Sequence, residues 1–363
     1  MPRLCLGASY RILDLGVALT ADRGDLLDLF DQDYAWFRTA PEAAAQPPAL
    51  AARYTSAGGT PRLAVDGEDL LLAGHPAPAL HAYRLLLTRI FGRLSAFYFL
   101  HAGVVALPAG AVILAGPPGV GKSTLVAALC RAGYSFYSDD ICPLHARTGE
   151  VHPFPRSLWL APGSEAGSGR RGKRPLIPAA EGYTVGGPPC RPLCLICLEA
   201  GPPPEAGEEI VLTVRPGQAD ALLADLAAVA GLTLRPEAEG EGAVAWRLRY
   251  PPAGQLVVRL RGLLAAHAGA IWQVYREDRV AASFHGTPEL TPIPVHAAAF
   301  RLLANLKPEE GTSGPLPGAP DGAALFMRLG TLLGQTPCFR LQVGRLSEEV
   351  ERVAEAVTHA RKI

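Results

Sequence analysis

Residues 116 to 124 read Gly-Pro-Pro-Gly-Val-Gly-Lys-Ser-Thr, which places Gly116, Gly121, Lys122 and Ser123 in the register G-x-x-x-x-G-K-[ST]. A loop this tight must turn where a Cβ would clash, and Gly116, Gly119 and Gly121 allow that turn while the backbone N–H groups face inward. An apolar run, Ala111 to Ala115, leads into the loop, and a helical pattern from Ser123 to Arg131 leads out of it. Strand, anion-binding loop and helix N-terminus therefore follow one another, which predicts an α/β fold. The chemistry that needs these residues is the binding of a nucleoside triphosphate. Backbone groups of Gly116, Gly119, Val120 and Gly121 would cradle the phosphates, and Lys122 would place a point charge on the β- and γ-phosphates. The hydroxyl of Ser123 is placed for Mg²⁺, and Thr124 follows it in the first helical turn.

A second cluster follows the loop helix. Ser138-Asp139-Asp140 comes directly after a short predicted strand, Tyr134 to Tyr137, and His101-Ala102-Gly103 precedes the first buried strand. Paired acids at a strand end near a phosphate loop can divide their work. One carboxylate serves the metal while its neighbour, pointing the other way, accepts a proton from an attacking hydroxyl.

These residues resemble the core of the HPr kinase/phosphorylase family: His101-Ala-Gly, the phosphate loop, then Gly133-Tyr-x-x-Tyr-Ser-Asp139-Asp140. Pro153-Phe-Pro-Arg156, Arg191-Pro-Leu and Thr336-Pro-Cys-Phe-Arg340-Leu are similar to the HPr kinase-like proteins of peptide-maturation pathways, which include serine kinases of lasso-peptide precursors. The resemblance implies a P-loop kinase core of the type shared with phosphoenolpyruvate carboxykinase, ATP and Mg²⁺ as cosubstrates, and a serine hydroxyl as acceptor. It further implies Lys122 and Ser123 at the phosphates and metal, Asp139 as general base, Asp140 as metal-side carboxylate and His101 as a polar partner. Which aspartate takes which part stays open. The family's later Glu-x-Arg-Gly signature is not found, which argues against HPr as the substrate.

Composition sets outer limits. Lys+Arg and Asp+Glu balance at 34 each over 363 residues, so no global basic field favours nucleic acid or an anionic membrane. The apolar stretch Phe97 to Gly116 is broken by His101 and Pro108 and ends in the phosphate loop, which predicts two buried strands joined at Pro108-Ala109-Gly110 and no membrane span. Seven cysteines without a signal peptide predict reduced thiols in a cytoplasmic protein. Cys194 and Cys197 fall in a strand-like run that sends them to opposite faces, as buried small hydrophobes and not zinc ligands.

Three regions are expected: an N-terminal α+β domain (1–95), a catalytic core (96–260) and a helical or mixed C-terminal region (261–363). Asp66-Gly67 predicts a hairpin, and Pro78 to Phe99 a long amphipathic helix. Helices are expected near 218–230, 296–305, 322–334 and 347–361, strands over 235–261, and loops at 201–205 and 308–321. Arg156, and Arg171 within the basic run 170–174, are candidate acceptor-binding residues. The leading expectation is a kinase acting on a serine of a peptide. A small-molecule hydroxyl kinase would use the same residues, and a nucleotide-gated binding module is the rival from another class. Self-association stays open.

Overall fold

The computed structural model describes residues 6–40, 48–56, 59–72, 75–160, 174–176, 178–200, 208–214, 220–240, 243–250, 254–277, 286–304 and 322–362. Compact units divide the chain differently from the expected boundaries after residues 95 and 260. One unit joins Met1–Gly116, Gly121–Glu199 and Ser283–Ile363, and the other comprises Ala200–Ala282 with Pro117–Val120.

The first unit is built on a six-stranded mixed sheet. Its order is Glu289–Ile293, Cys338–Gln342, Pro192–Glu199, Gly110–Ala115, Ala102–Leu107 and Ser135–Ser138. Pro192–Glu199 lies parallel to both of its neighbours, and the other pairings are antiparallel. All six residues of Gly110–Ala115 are buried, because helices cover both faces and an apolar run is the pattern such a strand needs. One face packs the loop helix Lys122–Arg131 and the last helix Leu346–Ala360, while Val295–Ala304 and Gly322–Leu332 lie on the other. Two strands of this sheet come from the region read as a helical or mixed C-terminal region. They belong to this sheet because Cys338–Gln342 completes the hydrogen bonding of Pro192–Glu199, a strand within the expected core.

Residues 6 to 91 form a five-stranded sheet covered by helices Asp25–Tyr34 and Pro78–Phe91. The Asp66-Gly67 hairpin forms as expected, with Val65 opposite Glu68 and φ of +50° and +85° at its two turn residues. Both residues sit in the left-handed region a two-residue hairpin requires. The long helix, by contrast, stops at Phe91. The amide of Gly92 caps Thr88, and the aromatic run that follows forms the strand Phe97–Leu100 against Cys142–His145.

The second unit is a βαββαβ unit lying within Ala200–Ala282, where the sequence predicts that the 96–260 core continues to residue 260. Its strands Glu208–Val214, Thr233–Gly240, Ala243–Tyr250 and Ile271–Glu277 pair antiparallel, with the first and third at the centre. That is the topology of a ferredoxin-like split βαβ. Ile210, Leu212, Val214 and Leu248 face its two helices, Asp220–Ala227 and Gly254–Ala266. The loops expected at 201–205 and 308–321 lie outside the described residues.

Candidate active site

Strand register brings the sequence motifs together. In the hairpin Ala102–Leu107/Gly110–Ala115, Ala102 faces Ala115, so His101 and Gly116 lie side by side where the two strands end. On the other side of the same strand Val104 pairs with Ser138, which carries Asp139 and Asp140 to that edge as well.

The phosphate loop has the backbone its glycines predict. Gly119 and Gly121 stand at φ +84° and +98°, a region that L side chains rarely adopt, and Gly121 is the N-cap of Lys122–Arg131. Val120 is fully buried. Lys122 is only 6 % exposed, and its Nζ donates to the Gly116 carbonyl at 2.8 Å, tying the helix start to the end of the strand. Ser123 and Thr124 are half-buried in the first turn of the helix. The set comprises backbone N–H groups at a helix N-terminus, one ammonium and one hydroxyl, which is the donor set a triphosphate with a divalent cation requires.

The two aspartates diverge. Asp139 is buried at 5 % exposure, whereas the Asp140 side chain is 48 % exposed and accepts or shares a proton with His101 Nε2 at 3.1 Å from Oδ1. Ser138 sets this divergence. Its hydroxyl donates to the Ile141 carbonyl at 2.5 Å and accepts from the Ile141 amide, closing the turn that carries both acids. Ser138 was legible in the sequence only as a neighbour of the pair, and its role depends on the turn it closes.

Gly103 has a part the sequence did not reveal. A Cβ there would stand 2.6 Å from Val126 Cγ2 and 3.2 Å from the Asp139 carbonyl. The loop helix and the aspartate turn both rest against this strand at the one position without a side chain.

Other expected residues lie elsewhere. Arg156 donates through Nη2 to Asp33 Oδ2 at 2.7 Å and lies over the Tyr34 ring, and Tyr83 donates to the same carboxylate oxygen at 2.7 Å. Both side chains of this ion pair are largely buried, at 12 % and 14 % exposure, so the pair ties Arg156 to the helix Asp25–Tyr34. Arg171 lies outside the described residues. Cys194, Cys197 and Cys338 are buried, and burial pushes their thiols up to about 12, about 12 and about 11. Neutral thiols of this kind pack as small hydrophobes. No group of three or more His, Cys, Asp or Glu among the described residues is arranged to hold a metal by itself. None of the described helices is long and apolar enough to cross a membrane.

No family model matches the chain, and no curated protein matches it. Among solved structures, the Hpr(Ser) kinase/phosphatase from Coxiella burnetii matches at 17 % identity, covering 47 % of this chain and 95 % of that one with a TM-score of 0.22. The functional reading therefore rests on the chain's own residues.

Proposed function

We propose that this chain is an ATP-dependent kinase of the HPr kinase-like type, acting in the cytoplasm, that transfers the γ-phosphoryl group to a serine hydroxyl of a precursor peptide. The observation that carries the reading is the register that gathers Lys122, Ser123, His101, Asp139 and Asp140 at one edge of the sheet. Lys122 and the loop amides hold the triphosphate and neutralise charge as it develops on the transferring group. Mg²⁺, held on the protein side by Ser123 and Asp140, would supply further charge neutralisation. Asp139 takes the acceptor proton as the hydroxyl oxygen bonds to phosphorus and the bridging bond to ADP breaks. His101 orients Asp140. A pure nucleotide switch has no use for a buried base beside the loop, which is why the kinase is favoured over a gated module.

The test is mass spectrometry of the protein with ATP, Mg²⁺ and precursor peptides encoded beside it, run in parallel with Asp139→Asn. A gain of one phosphate, about 80 Da, on a peptide serine is expected, with the variant slowed about 10²- to 10⁴-fold. ATP turnover without peptide modification would move the acceptor to a small-molecule hydroxyl. Binding of ATP without any transfer would favour the nucleotide-gated module.

A further inference from the structure

A second charged cluster stands at the same edge of the core sheet. Cys197 pairs with Ala115 on one side and with Arg340 on the other, so Arg340 lies level with the end of the phosphate-loop strand, two strands across. With strands spaced about 4.8 Å apart, that separation is about 10 Å. Glu199, two residues beyond Cys197, accepts from Arg301 at 2.8 Å through Nε and 2.7 Å through Nη2. Arg340 Nε donates to Thr291 Oγ1 at 3.2 Å and lies 3.9 Å from the second oxygen of Glu199.

The bonding is unequal. Glu199 brings one negative charge to two guanidinium groups, and Arg301 takes the close contact. That contact ties helix Val295–Ala304 to the sheet. Arg340 is held at its Nε, while its terminal amino groups have no partner among the described residues and its side chain is 40 % exposed. The result is an oriented guanidinium fork whose outer edge faces solvent, level by register with the carboxyl end of Gly110–Ala115, the end of an open α/β sheet at which ligands are placed.

We propose that Arg340, braced by Thr291 and Glu199, anchors a carboxylate carried by the phosphate acceptor. This rests on the kinase reading for the meaning of "acceptor" but not for the anion site itself. The planar fork pairs with a carboxylate through two parallel N–H···O bonds, and its prior orientation lowers the ordering cost of binding. In a peptide, an acidic residue two or three positions from the phosphorylated serine spans about 10 Å. In a small hydroxy acid the carboxylate and hydroxyl belong to one molecule. The chemistry recognised is the same.

Calorimetric titration of the full chain, with the phosphate loop filled by Mg²⁺ and a non-hydrolysable ATP analogue, separates these sources. The probes are acetyl-Ser-Gly-Glu-Glu-amide, its Gln-Gln counterpart and glycerate. At least one carboxylate probe is expected to bind, and Arg340→Gln is expected to weaken it about tenfold or more, with a fluorescent ATP analogue bound as by the parent. Peptide binding that needs its glutamates identifies an acidic peptide, whereas glycerate binding alone identifies a small acid. Failure of both carboxylate probes at about 10 mM, or equal binding by Arg340→Gln, overturns the proposal. A parent protein that does not bind the fluorescent analogue defeats the kinase reading instead. In that case the same titrations without nucleotide still decide the role of Arg340.

Discussion

Val126 Cγ2 lies 2.6 Å from the position a Cβ on Gly103 would occupy, so the loop helix is seated on a strand at the single point where the strand has no side chain. Gly103→Ala must displace the Val126 side chain, which stands one turn beyond Lys122 and Ser123 on the same helix. Overpacking of this kind costs about 1–3 kcal/mol. We expect a lower melting temperature, read by thermal denaturation, together with weaker binding of a fluorescent ATP analogue. Unchanged stability would mean that the helix does not rest on residue 103.

Lys122→Ala removes the buried ammonium that bonds the Gly116 carbonyl. If the proposed kinase reading holds, loss of one charge-stabilising donor is expected to lower turnover by about 10²-fold or more. Circular dichroism of Lys122→Met, which keeps the apolar stem, checks that the loss is chemical and not a loss of fold.

Arg156→Ala leaves Asp33 facing Tyr83 without its cation. Breaking a largely buried pair by removing one partner is expected to cost about 2–4 kcal/mol. Because Asp33 engages the Arg156 guanidinium, the variant that still folds should keep the acceptor KM of the proposed kinase within about twofold of the parent. A rise in KM at unchanged stability would return Arg156 to the acceptor site.

Glu349 is 3 % exposed, and burial raises its carboxyl from about 4.5 to about 7, opposed by the Gly344 amide that donates to it at 2.8 Å. The folded state therefore holds a proton that the unfolded chain releases at lower pH. This contribution to stability is complete below about pH 4.5 and is lost as pH rises to about 7. Glu349→Gln keeps an oxygen for Gly344 and cannot ionise. Denaturant titrations at several pH values should show the variant gaining on the parent between these limits, by about 1–3 kcal/mol at neutral pH. Parallel pH profiles for the two proteins would exclude this account.

What the sequence by itself determined is local. The phosphate loop, the Asp66-Gly67 hairpin, the strand leading to Asp139-Asp140 and the helices near 220, 295, 322 and 346 each announce themselves through turn chemistry or apolar period within a short window, whereas helix Gly254–Ala266 begins in a segment that reads as strand. Backbone strain and side-chain alternation act between near neighbours, so such elements need no knowledge of the rest of the chain. Only the tertiary structure decided which strands are partners. Cys338–Gln342 joins Pro192–Glu199 across the whole βαββαβ unit, and Arg156 meets Asp33 from 123 residues away. Any exposed edge of that sheet could have accepted a strand of similar pattern, and any carboxylate could have paired with Arg156. The choice was made by simultaneous burial of apolar faces and completion of backbone hydrogen bonds. The same non-local choice set Arg340 beside Glu199 and Thr291, which no spacing along the chain could have foretold.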